Sequence, residues 1–454
     1  MEFNRDNPLV GLVGEQQFTV VPSFTLDSGV VLKDVPVAWK TFGKLNEAKD
    51  NVMVICHALT GSAAVEDWWG PLIGPGKAFD PTKFFIFCGN VLGSPYGSAS
   101  PMTINPETGR KYGPEFPLCS IRDDVRIHRY ILDTLGIDQV AVVIGGSLGG
   151  MQVLEWACFG PEYVKSFVPL ATSGRHSAWC ISWGEAQRQS IYSDPNYEDG
   201  YYTPDKAPTA GLAAARMSAL LTYRSRNSFE SRFGRKSAER RYQTINKRPS
   251  SPGEWAASIH NDGHRSSARN TQNGTMTTDA NGLPTSPQTH TTINDPPLTS
   301  APTVFSAQSY LRYQGDKFVS RFDANCYIAL TRKMDTHDLG YRREGYEQVL
   351  ASLTQPALII GIESDGLFTI GEQYELAEHI PNAEMVTIQS PDGHDGFLLE
   401  FDQINSHITK FIVKHHPKIW NSQTASEQDV LPATGLKVEK DSMFGEAEAD
   451  ITNW

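Results

Sequence analysis

A serine set among glycines, Gly145-Gly146-Ser147-Leu148-Gly149-Gly150, follows the apolar run Val140-Ala141-Val142-Val143-Ile144 and precedes a helical pattern over residues 151–159. Strand, sharp turn and helix, with G-x-S-x-G at the turn, is a context that can make a hydroxyl a nucleophile. The side chain stands clear of the sheet edge, and the glycines let strand and helix backbones approach where a Cβ would collide. The start of the following helix adds positive potential where an oxyanion would form. In a chain with 38 glycines the pattern by itself carries little weight, and a serine at a helix start also serves as a plain N-cap. The strand before it and the helix after it are what favour the nucleophile.

A nucleophilic serine needs a base, and the base needs an orienting acid. Open parallel sheets gather such groups at the carboxyl ends of their strands. In the α/β-hydrolase arrangement they follow the order serine, acid, histidine. Residues 356–362 read as a buried parallel strand followed by Glu363-Ser364-Asp365-Gly366. Residues 385–388 read as a shorter strand followed by Pro391-Asp392-Gly393-His394-Asp395-Gly396. Asp365 and His394 are therefore the candidate acid and base beside Ser147. Other histidines fit less well. His379 falls in a helical pattern, and His407, His415 and His416 lie in or after the last amphipathic stretch. His260, His264 and His290 lie in a polar segment, and His57 precedes the serine. The oxyanion would take the backbone N–H of Leu148. A second N–H would come from the loop after an early strand, His57-Ala58-Leu59-Thr60-Gly61, with Leu59 the candidate donor.

These groups need a scaffold, and the pattern predicts an α/β-hydrolase fold: a mostly parallel central sheet flanked by helices, with an inserted helical lid. Residues 18–175 and 350–415 form the expected core. An early hairpin is predicted at 19–26 and 35–42, strands follow near Val52, Phe84 and Val140, and an amphipathic helix over 123–135 feeds the serine strand. Residues 176–349, rich in Trp and Tyr, form the expected lid. Within it, 240–301 is dominated by Ser, Thr, Asn and Pro and is expected to be a disordered surface loop. Residues 420–454 read as a mobile acidic tail. A chain of 454 residues can bury a large core, and its net charge of −12 argues against nonspecific binding to nucleic acid or to anionic membranes. No apolar run approaches membrane-spanning length and no signal peptide opens the chain. The six cysteines are scattered, as free thiols of a reducing, cytoplasmic compartment would be, and no residues have metal-ligand spacing.

Taken together, several separated segments closely resemble the homoserine O-acetyltransferase family of α/β-hydrolase-fold acyltransferases, and its fungal members most. They are Gly145 to Gln152, His57-Ala58-Leu59-Thr60-Gly61-Ser62, Asn90-Val91-Leu92-Gly93-Ser94, Ala215-Arg216-Met217-Ser218-Ala219-Leu220-Leu221-Thr222-Tyr223-Arg224-Ser225 and Gly393-His394-Asp395-Gly396-Phe397-Leu398. The resemblance runs from about residue 18 to 412, apart from the polar segment. Leu148 departs from it, standing where methionine is commoner. The resemblance implies acetyl transfer from acetyl-CoA, a co-substrate and not a bound cofactor, to the hydroxyl of L-homoserine, a step of methionine biosynthesis. It implies double displacement through an acyl-Ser147, and a homodimer. Related acyltransferases act on L-serine or deacetylcephalosporin C, or use a succinyl donor, and the same triad with water as acceptor gives a serine esterase.

Choosing an alcohol over water requires fixed points for the acceptor's charged groups. Arg216 is the one charge in an apolar helical run over 212–221, costly there unless paired, and Tyr223 falls on the same helical face. Both are candidates for the substrate carboxylate, and Asp395 is the candidate for the ammonium. The basic residues Arg224, Arg226, Arg232, Arg235 and Lys236 read either as a site for the CoA phosphates or as a solvated basic face.

Overall fold

A computed structural model describes residues 4, 6–237, 251–264 and 305–426. An eight-stranded sheet forms its centre: β1 (Gln17–Thr25), β2 (Val31–Phe42), β3 (Val52–Cys56), β4 (Phe85–Gly89), β5 (Val142–Gly146), β6 (Phe167–Leu170), β7 (Ala357–Ile362) and β8 (Ala383–Ile388). Their order across the sheet is β1-β2-β4-β3-β5-β6-β7-β8. β1 and β2 form the antiparallel hairpin, with Gln17 opposite Trp39 and Thr25 opposite Val31, and β2 runs antiparallel to β4. All remaining pairings are parallel. β2 begins four residues before the apolar run at Val35, because the ladder continues through Lys33 to the turn.

The central strands read as unbroken apolar runs because both faces are covered. Alternation splits their side chains between two cores. Val52, Val54 and Cys56 join one, while Met53 and Ile55 join the other. The first core packs against α2 (Ile121–Thr134) and α3 (Leu148–Ala157), the second against α1 (Val65–Trp69) and α12 (Phe401–His415). α2 starts where the sequence supplies a reciprocal cap. Ser120 Oγ accepts from the Asp123 N–H at 3.1 Å, and the Asp123 carboxylate accepts from the Ser120 N–H at 2.9 Å.

Between β6 and β7 the chain forms α4 (Ala178–Tyr192), α5 (Thr209–Tyr223), α6 (Arg226–Arg232), α7 (Pro252–His260), α8 (Ser306–Val319) and α9 (Ala324–Asp335). α10 (Tyr346–Ser352), α11 (Ile370–His379) and α13 (Pro417–Trp420) complete the helices of the described residues. α7 lies inside the segment expected to be disordered throughout. Ser251 caps it through the Glu254 N–H at 3.2 Å, and Asp262 just beyond pairs with Arg312 of α8 at 2.8 Å. The rest of that segment, and the tail beyond residue 426, lie outside the described residues.

A third core ties these helices to the sheet. Leu148 and Met151 of α3 meet Cys180, Leu212, Phe318, Tyr327 and Phe368. One buried ion pair anchors α9 directly: Lys333 Nζ lies 2.6 Å and 2.8 Å from the two Asp124 oxygens and 2.6 Å from the Leu92 carbonyl oxygen. No helix among the described residues is long and apolar enough to cross a membrane.

Several histidines are buried or half-buried as neutral rings. Burial pushes His57, His337 and His416 down to about 4, and His128 and His176 to about 3. Unfolding lets each bind a proton near pH 6.5, so the unfolded chain holds more protons between pH 6.5 and 4, and stability must fall as pH drops through that window. Asp124, pushed up to about 6 by burial, and Glu372, pushed up to about 7, work the other way, two groups against five. Urea unfolding from pH 8 to 4.5 should show a falling midpoint; a midpoint that rises on acidification would contradict the histidine burial.

Candidate active site

β5 ends at Gly146 and α3 begins at Leu148, so Ser147 alone makes the turn, with φ 59° and ψ −124°. A non-glycine residue in that region stores on the order of 1–3 kcal/mol of strain. Its neighbours hold it there. The Ser147 N–H donates to the Leu170 carbonyl at 3.0 Å, and its carbonyl accepts from the Met151 N–H at 3.1 Å and from Thr172 Oγ1 at 2.8 Å. The flanking glycines are steric requirements: a Cβ on Gly149 would lie 2.1 Å from the Cys56 carbonyl oxygen, and one on Gly145 2.6 Å from the Gly149 oxygen. The Ser147 side chain makes no capping bond to the helix, so the N-cap alternative does not occupy the hydroxyl.

Asp365 follows β7, and His394 lies in the 3-10 turn Gly393–Leu398 after β8. The two side chains meet, with His394 Nδ1 2.7 Å from Asp365 Oδ2. The other Asp365 oxygen accepts the N–H groups of Leu367 and Phe368 at 2.8 Å and 3.0 Å, which fixes the plane of the carboxylate. Aromatic rings hold the imidazole on three sides: Phe368 stacked at 5.2 Å, Phe397 edge-on at 5.2 Å and Tyr223 tilted at 6.0 Å. A further carboxyl, Glu372, is pushed up to about 7 by its burial and then by the charge of Asp365.

Ser147 and His394 line one cavity together with Ala58, Leu59, Tyr223 and Asp395. Its far wall comes from the inserted helices, with Trp183 and Gln187 of α4 and Thr331, Met334 and Asp335 of α9. Leu148, as the first residue of α3, carries one of the N–H groups that a helix start leaves without an intrahelical acceptor. Serine, imidazole and oriented carboxylate around one partly apolar cavity can perform nucleophilic acyl transfer.

The acceptor candidates are placed unequally. Tyr223 and Asp395 are on the cavity wall. Arg216 sits behind that wall, 1% exposed, its guanidinium 5.6 Å from the Tyr223 ring and 4.9 Å from the Phe318 ring. Asp395 is already ion-paired with Arg224 Nε at 2.7 Å, both side chains being buried. Arg224 and Arg232 also converge on Asp392, at 3.0 Å and 2.8 Å. Arg235 lies over the Phe305 ring, and Lys236 Nζ donates to the Arg232 carbonyl oxygen. Much of the basic stretch thus ties the end of α5 and α6 to the histidine loop. The sequence reading missed that strut, as it missed Phe368 and Glu372, because each depends on a partner far away in the chain. Only Phe397 had a local signal, three residues after His394.

Known proteins agree with this architecture. The family model described as alpha/beta hydrolase fold matches residues 51–401. The homoserine O-acetyltransferase of Saccharomyces cerevisiae is 53% identical, over 100% of this chain and 97% of the relative. That of Emericella nidulans is 54% identical, over 99% of this chain and 96% of the relative. Among solved structures, a homoserine O-acetyltransferase from Bacillus anthracis superposes with a TM-score of 0.70 at 20% identity, covering 91% of this chain and 99% of that one, a likeness of fold. With an elbow serine, a histidine–aspartate couple and full-length identity above one half to such relatives, the chain belongs to the homoserine O-acetyltransferase family of α/β-hydrolase-fold enzymes.

Proposed function

We propose that the protein moves an acetyl group from acetyl-CoA to the side-chain hydroxyl of L-homoserine by way of an acetyl-Ser147 intermediate. The carrying observation is that His394, held by a 2.7 Å contact to Asp365, lines the same cavity as the strained Ser147. His394 takes the Ser147 proton, the alkoxide adds to the thioester carbonyl, and the oxyanion is held by the N–H groups of Leu148 and Leu59. Collapse expels the CoA thiolate, which receives the proton from His394. The homoserine hydroxyl then gives its proton to His394 and attacks the acetyl-serine, and a second collapse frees the ester and restores Ser147. Asp365 keeps the proton on Nδ1 and stabilises the imidazolium in each half.

The acceptor would be fixed at two ends. Tyr223 and the Arg216 guanidinium behind it offer the carboxylate a donor and a buried positive charge. Asp395 offers the ammonium a carboxylate that Arg224 holds in place. The buried positive charge favours a ligand that brings an anion, which water does not. Assembly as a homodimer and a cytoplasmic site belong to the same reading. The six cysteines are all free thiols.

Thiol release from acetyl-CoA should be slow without homoserine and rise strongly when it is added. Rapid release that homoserine leaves unchanged would identify a hydrolase instead. Ser147→Ala and His394→Ala should each lose several orders of magnitude in turnover, about as much as the double variant, because triad members act as a unit. Arg216→Ala should raise the KM for homoserine and spare acetyl-enzyme formation in a single-turnover burst; equal damage to both half-reactions would remove it from the acceptor site.

A further inference from the structure

We propose that His57 is a positioning residue for the oxyanion hole. The inference rests on the reading of Ser147 as nucleophile and of the Leu59 N–H as an oxyanion donor, and it assigns what aims that N–H. His57 is the first residue after β3 and is wholly buried. Its ring bridges two strand exits. Nε2 lies 3.1 Å from the backbone nitrogen of Val91, after β4, and Nδ1 lies 2.8 Å from the Ala58 carbonyl oxygen.

An N–H can only donate, so Nε2 must accept from Val91 and the ring's single proton must sit on Nδ1, facing the Ala58 oxygen. Burial holds the ring in the neutral form this pairing requires. The Ala58 oxygen takes a second bond, from the Gly61 N–H at 3.1 Å. The peptide that carries this oxygen is the one that carries the Leu59 N–H. A trans peptide is planar and its C=O and N–H point in opposite directions, so fixing the oxygen toward His57 and Gly61 fixes the Leu59 N–H away from them. Ala58 and Leu59 line the cavity with Ser147. Two hydrogen bonds on the carbonyl also polarise the amide, which strengthens the N–H as a donor.

The elbow packs on the same residue. Gly149 lies against the His57 carbonyl oxygen, 3.1 Å from where its Cβ would be, and Gln152 Nε2 donates to that oxygen at 3.3 Å. The ring never reaches the reacting atoms. It connects β4 to the β3 exit at the point where the elbow needs a partner donor.

Two substitutions separate the halves of this bridge. His57→Asn can place an amide N–H near the Nδ1 position and keep the Ala58 bond. His57→Gln reaches toward the Nε2 position, keeps the Val91 bond and abandons the Ala58 oxygen. His57→Gln should lower the rates of acetyl-enzyme formation and of its transfer to homoserine together, by about tenfold or more, the size expected of a misaimed oxyanion donor, with the homoserine KM within about twofold. His57→Asn should retain most of the activity. An Asn variant as impaired as the Gln variant, or a loss confined to KM, would overturn the proposal. Ser147→Ala in the same series keeps the two readings apart: an active Ser147→Ala refutes the nucleophile itself, whereas a dead Ser147→Ala beside an unimpaired His57→Gln refutes only the role of His57. If neither His57 variant folds, the unmodified protein decides. In a ¹⁵N-histidine sample at pH 7 the His57 ring should be neutral with its proton on Nδ1, and a proton on Nε2 would sink the assignment.

Discussion

The structure depends on a backbone contact too close for any side chain. β3 and the start of α3 meet where Gly149 faces the Cys56 carbonyl oxygen, and no Cβ fits between them. That contact sets how sharply the chain turns out of β5, and so forces Ser147 into a region of backbone space that serine avoids. The strain is sustained by bonds to Leu170 and Thr172 on the neighbouring strand exit. Three adjacent strand ends therefore hold the hydroxyl in place: β3 by packing, β6 by hydrogen bonding and β5 by covalent connection. On the proposed reading of Ser147, this orients the attacking group before substrate arrives, which is what makes proximity effective in catalysis.

The histidine loop is placed by a second close approach, between the core and the inserted helices. Gly393 has φ 70°, and a Cβ on it would lie 2.6 Å from the Ser225 nitrogen and 2.8 Å from the Tyr223 carbonyl oxygen. The loop carrying His394 thus touches the end of α5, the helix that carries Arg216 and Tyr223. The buried ion pair between Arg224 and Asp395 crosses the same junction. The His394 loop and the end of α5 therefore cannot move independently. A shift of α5 would carry Tyr223 away from the imidazole ring it packs against. Lys333 and Asp124 do for α9 what Arg224 does for α5, through a charge pair that is expensive to leave half-made.

Local context explains what the sequence revealed. The elbow needs glycines at fixed offsets, an apolar strand before it and a helix after it, all within a dozen residues, so Ser147 was legible. Asp365 and His394 each follow an apolar strand and a glycine-bearing turn, and chain order sorted His394 from its competitors. Properties that depend on distant partners were not legible. The ion pair between Asp395 and Arg224 was hidden because the two lie 171 positions apart. Helical spacing puts Arg216 on the Tyr223 face, but spacing does not say how deep a long side chain sits, here 1% exposed. α7 was hidden because composition averages over a window, whereas a serine cap and a single ion pair act at single positions. His57 was set aside by chain order, which is a sound test for a general base and says nothing about a histidine that shapes the backbone.

The arrangement around Arg216 bears on why such a site would use an alcohol while surrounded by water. The Arg216 guanidinium lies 4.9 Å from the Phe318 ring and 5.6 Å from the Tyr223 ring, and each such contact contributes about 0.5–2 kcal/mol of cation–π energy. A carboxylate arriving at Tyr223 would interact with that charge through a poorly screening medium, more strongly than at an exposed arginine. On the proposed reading, selectivity would come from a buried charge placed behind a tyrosine and close enough to be felt by an anion. On the same reading, contacts at the acceptor's other end would deliver its hydroxyl to His394, and water, lacking that other end, would receive no such positioning.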